Sequence, residues 1–149
     1  MKKPKQPSAY YICATIEIFD IQVLLVVGDF DECCKLIEEN RSQDYKGPKI
    51  SDGLRLAKKE VDEESKTRNG YRAFTAHVQP GVIIYAPKPI TLSCLVHEIS
   101  HAVDYVFHIT GCDSDDGELR AYLCGFLFTE LAAKNKNIIT AEKFVKGIR

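Results

Sequence analysis

No apolar run in this 149-residue chain approaches the roughly 18 residues that a membrane-spanning helix needs, so a bilayer is not an expected partner. An excess of charge is missing as well. Twenty Lys and Arg stand against 21 Asp and Glu, a net charge of −1, which removes the electrostatic case for nucleic acid or an anionic surface. The one basic cluster is Met1-Lys2-Lys3-Pro4-Lys5, and residues 1–8 read as a solvated tail. A secretory pattern is lacking, because Lys5-Gln6-Pro7-Ser8 leads straight into a strand-like segment, so a cytoplasmic location is expected. No two of the six cysteines (13, 33, 34, 94, 112, 124) form a Cys-x-x-Cys pair. Five fall in apolar patterns, which suits buried reduced thiols better than a disulfide framework or a zinc knuckle. Repeats, low-complexity tracts and an inter-domain linker are also absent. What remains is a composition of 45% hydrophobic and 28% charged residues, that of one soluble domain over 1–149.

The patterning then assigns elements. Tyr10, Ile12, Ala14, Ile16 and Ile18 alternate, which predicts a half-buried strand over 10–18. A turn at Asp20 leads to the dense apolar run Ile21–Val27, the inner strand of a hairpin. Asp29 and Glu32 have capping-box spacing and open a helix carrying Phe30, Cys33, Cys34 and Ile37 on one face. Residues 41–70 are polar, with Gly47-Pro48, Asp52-Gly53 and Asn69-Gly70 as breakers and a short surface helix within Lys58–Lys66. Strands at Tyr71–Val78 and Val82–Ala86 follow, joined by Gln79-Pro80-Gly81. Helices at about 91–109 and 116–133 and a tail helix from Thr140 complete the chain. This order predicts an α+β domain with a mostly antiparallel sheet.

The chemistry concentrates in His97-Glu98-Ile99-Ser100-His101, a His-Glu-x-x-His motif. Residues four apart stack one helical turn above each other, so two imidazoles can meet one zinc ion at about 2.0–2.1 Å. Glu98 is offset around the helix, able to reach the ion's water without being a ligand. Leu92, Leu95, Val96, Ile99, Ala102, Val103 and Val106 make a core stripe, while His97, Glu98, His101, Asp104, Tyr105 and His108 share the other side. No lysine occurs from Thr91 to Ala133, so that polar side reads as a cleft wall; the bland reading is a surface histidine pair.

A catalytic zinc needs a third protein ligand. His108 lies seven residues past His101, about 10 Å along the axis, too far for the same ion. Glu118 is the preferred ligand: it opens the next helix after Gly111 and the Asp113–Gly117 turn, and it shares a face with the small residues Ala121 and Gly125. Two other readings stay open. Glu118 has capping-box spacing from Asp115, and a turn aspartate is an alternative ligand.

With these residues, the chain resembles the zincin metallopeptidases, in the glutamate-ligand branch typified by thermolysin. The match is His97-Glu98-Ile99-Ser100-His101-Ala102-Val103 and then Glu118, covering about residues 72–131 with the preceding strands. It also looks like small zincin-like proteins of phage and prophage genomes. The resemblance implies hydrolysis of a peptide bond, with zinc polarising the carbonyl and Glu98 as general base. It further implies an edge strand, here Ala73–Val78, that aligns a protein or peptide substrate. One departure stands out. Where the branch places an aspartate that supports a histidine ligand, this chain has Tyr122. Asp104 or a backbone carbonyl takes that role here, and Tyr122 either donates to a developing oxyanion or simply packs. The rival to a peptidase is an interaction module that keeps the fold without turnover, whereas a nucleic-acid binder conflicts with the charge.

Overall fold

The computed structural model describes residues 2, 7–65 and 73–135. The predicted tail helix from Thr140, the Asn69-Gly70 breaker and the start of the strand at Tyr71 lie outside them. Strand β1 (Ala9–Ile16) turns through a 3-10 segment, Glu17–Phe19, into β2 (Ile21–Gly28). Helices α1 (Phe30–Asn40) and α2 (Ile50–Ser65) follow, then β3 (Phe74–Val78) and β4 (Gly81–Ala86). Helices α3 (Leu92–Thr110) and α4 (Gly117–Leu127) come next, with a π-helical stretch at Phe128–Ala133.

The four strands form one mixed sheet in the order β1-β2-β4-β3. Pairs β1–β2 and β3–β4 are antiparallel, as the hairpin patterns predict, but β2 and β4 pair in parallel, Val23 opposite Val82 through Val27 opposite Ala86. The connection between them carries two helices and a strand, long enough to bring β4 back in the same direction. The near-continuous apolar character of both strands belongs to inner strands covered on two faces. Val23, Leu25, Val27, Val82 and Ile84 pack against α3, α4 and the π-helical stretch; Val26, Ile83 and Tyr85 pack against α1 and α2.

Three expectations need correction. Ile18 does not continue the first strand's buried face; it sits in the 3-10 segment, 65% exposed. The polar stretch after residue 41 holds a full 16-residue helix that covers one face of the sheet and buries Leu54 completely. Gly53 is no breaker there: a Cβ on it would come within 2.8 Å of Val78 Cγ1, so its bare backbone admits the β3 side chain. Nor are the thiols uniformly buried, although none of the six is in a disulfide. Cys33 and Cys34 are enclosed, with burial pushing the Cys33 thiol up to about 12, while Cys94, Cys112 and Cys124 are half-buried and Cys13 is exposed. Among the described residues no helix is long and apolar enough to cross a membrane.

The role of α2 can be measured. Leu54→Ala empties a fully buried site and is expected to cost about 2–5 kcal/mol, while Leu56→Ala, at a position 60% exposed, should stay within about 0.5 kcal/mol. Equal costs in urea denaturation would show that α2 is the loose surface helix its composition suggests.

Candidate metal centre

Helix α3 begins where the Thr91 side chain accepts from the Cys94 backbone N–H and ends at Gly111 in the left-handed conformation, φ 68°. Between these stops, Leu95, Ile99, Ala102, Val103, Val106 and Phe107 are buried against the sheet. Val96, placed in the stripe by sequence, is 45% exposed.

His97 and His101 both lie on the exposed side, and their rings meet. The two Nε2 atoms are 3.1 Å apart, with ring centroids at 4.8 Å and planes at 81°. Two imidazoles bound tetrahedrally to one zinc would hold their nitrogens about 3.3 Å apart, given bonds of about 2.0–2.1 Å. The pair thus already has the spacing of two ligands. The same approach also serves as a ring N–H···N hydrogen bond, in which one imidazole donates.

Glu98 departs from the sequence reading. It is 5% exposed, at the seam between α3 and the edge strand β3. Phe74, Ala76 and Val78 point toward α1 and α2, which leaves the alternate residues Thr75 and His77 on the α3 side. The Thr75 hydroxyl stands 2.7 Å from Glu98 Oε2 and 3.0 Å from the Glu98 carbonyl oxygen, both acceptors for its single proton. Further along the seam, the His77 and Tyr105 rings lie 6.3 Å apart. The sequence signal for Thr75 was available in the strand's alternation, but its register against α3 was not. Beside His97, residues Ala73, Thr91, Ser93, Cys94 and Glu98 line an open depression.

The second helix places the remaining candidates. Asp116, not Asp115, caps α4: its side chain accepts from the Leu119 N–H, so Glu118 is not needed as a cap. Arg120 ties this first turn to α3. Its Nη1 donates to Asp104 Oδ1 at 2.7 Å and its Nη2 to the Ser114 carbonyl at 3.3 Å, and the guanidinium lies 4.8 Å from the Phe107 ring centre. Asp104 is thereby committed to Arg120. Glu118, Ala121 and Gly125 are exposed, and a Cβ on Gly125 would meet nothing within 4 Å. The small residues therefore make no close helix contact; Leu123 and Leu127 are the buried face.

Among the described residues, no group of three or more His, Cys, Asp or Glu side chains is gathered for a metal. Glu118 is in the first turn of α4 but does not join the histidine pair. Tyr122 is 55% exposed, stacks on Phe126 with centroids 6.4 Å apart, and lines a depression with residues 13–18 that shares no residue with the one at His97.

The Thr75–Glu98 contact generates a stability test. Thr75→Val leaves a buried carboxylate oxygen without its donor and is expected to destabilise the fold by about 1–3 kcal/mol. Thr75→Ser should restore most of this, and the loss should shrink in a Glu98→Gln background. An additive double-mutant cycle would show that the two groups do not interact.

No family model matches the chain, and the comparisons with curated proteins and with solved structures found no match. The functional reading rests on the chemistry of the α3–β3 seam.

Proposed function

We propose that this chain is a zinc-dependent peptidase, acting in the cytoplasm on a protein or peptide substrate. The observation that carries the reading is the Nε2···Nε2 distance of 3.1 Å between His97 and His101, with the Glu98 carboxylate one residue away. The donor set fits zinc in kind, two imidazoles and a carboxylate with no thiolate. His97 and His101 would hold the ion, and Glu118 would complete the set by swinging its exposed side chain from the turn that Arg120 fastens to α3. Zinc, when bound, lowers the pKa of its water and polarises the scissile carbonyl. Glu98 would take a proton from the attacking water at the carboxylate oxygen that Thr75 does not engage and would deliver it to the leaving amine. The outer edge of β3 offers backbone groups to an extended substrate.

One observation favours the rival reading, an interaction module without turnover. Glu98 is buried and bonded to β3, a role that needs no catalysis. The two readings separate cleanly. About one zinc per chain is expected, lost in His97→Ala and His101→Ala, with affinity reduced at least about tenfold in Glu118→Ala and unchanged in His108→Ala. Glu98→Gln should fold and keep zinc, while cleavage of an unbiased peptide pool falls at least about a hundredfold. Failure to bind zinc in titration removes the metal reading. Full biological effect from Glu98→Gln removes the peptidase and leaves the module.

A further inference from the structure

Strand β1 is an outer edge of the sheet, and among the described residues no strand pairs with its far side. Exposed edges of folded proteins are ordinarily blunted by lysine, proline, a bulge or shortness. This one has none of these. Its eight residues, Ala9-Tyr10-Tyr11-Ile12-Cys13-Ala14-Thr15-Ile16, contain no charge and no proline, and they pair with β2 without interruption from Ala9–Gly28 to Ile16–Ile21. Tyr11, Cys13 and Thr15 are exposed along it, and Ile18 and Tyr122, 65% and 55% exposed, flank its far end.

The charges on either side specify a partner. Lys2, Lys3 and Lys5 precede the strand in sequence, and Lys88 reaches its start, donating to the Pro7 carbonyl at 2.7 Å. Glu17 and Asp20 follow the strand. A strand that is basic before and acidic after is complementary to itself only when antiparallel. We propose that two copies of this chain associate through antiparallel β1 strands, joining two four-stranded sheets into one. The two-fold axis falls near Ile12 and Cys13. It sets Glu17 of each copy toward the basic start of the other and brings the two Cys13 side chains opposite or diagonal, within about 8 Å. β3 lies at the opposite edge of the sheet, so the seam with Glu98 stays open in the pair.

Sedimentation equilibrium of the full chain should give twice the 16.8 kDa of one copy, with a dissociation constant that rises with salt. Thr15→Lys sets a cation, at an exposed position, against the basic start of the partner strand and should raise that constant at least about tenfold, and Glu17→Lys should weaken association and reverse its salt dependence. A short bis-maleimide should cross-link wild type and fail on Cys13→Ser. A monomer at about 100 µM would overturn the proposal. So would a dimer that Thr15→Lys leaves intact while Cys13→Ser still cross-links, since association would then use another surface. None of these readings depends on zinc or turnover.

Discussion

The buried carboxylate of Glu98 is the constraint around which the α3 side of the molecule is arranged. A carboxylate removed from water is costly unless hydrogen bonds replace the lost solvation. Here the replacement comes from β3, through Thr75 at 2.7 Å. That bond requires the alternation of β3 to put Thr75, not Phe74 or Ala76, on the α3 side. It also requires α3 to lie where its core stripe faces β4. Once Glu98 is fixed, its neighbour His97 and the residue one turn on, His101, must point outward along the exposed flank. The pair's 3.1 Å approach is a consequence of helix geometry acting on a helix that Glu98 has already oriented.

Much of this was legible in the residues, and the reasons differ by element. Thr91, Gly111 and the apolar stripe between them define α3 because capping, left-handed termination and 3.6-residue periodicity are local properties. Asp29 caps α1 for the same reason, its side chain accepting from the Glu32 N–H. Pairing between distant strands is not local. The parallel register of β2 on β4 joins residues about 60 apart in sequence, and nothing in either run distinguishes a parallel from an antiparallel neighbour. Helix α2 is hard to read from composition because its charged exposed face dominates it, while Leu54, with Ile50, Ala57 and Val61 beside it, makes up the face that packs on the core.

At the site, the division follows the same line. The motif identifies His97, Glu98 and His101 because their relation is set by one helix. Glu118 depends on the angle between two helices, which sequence spacing does not encode. Capping by Asp116 and the Arg120–Asp104 pair decide how the first turn of α4 sits. That pair is exposed, with side-chain accessibilities of 36% and 60%, and such ion pairs contribute little to stability. The turn that carries Glu118 is therefore placed by contacts spread over two helices, none of which its own spacing in sequence encodes.

The open depression beside the histidine pair, next to a sheet edge that pairs with no strand among the described residues, also bears on what kind of ligand the seam could hold. No second lobe among the described residues closes over α3, so a small ligand would find few enclosing walls and little apolar area to bury. An extended polypeptide gains its contacts differently, from backbone hydrogen bonds distributed along a strand. β3 offers only five residues for this, enough for a short segment and too few for tight, general binding. Selectivity would then come from the surface that a folded partner presents around the segment. On the proposed reading, cleavage of loose peptides would be slow but measurable, and the choice of target would come from the protein that carries the segment.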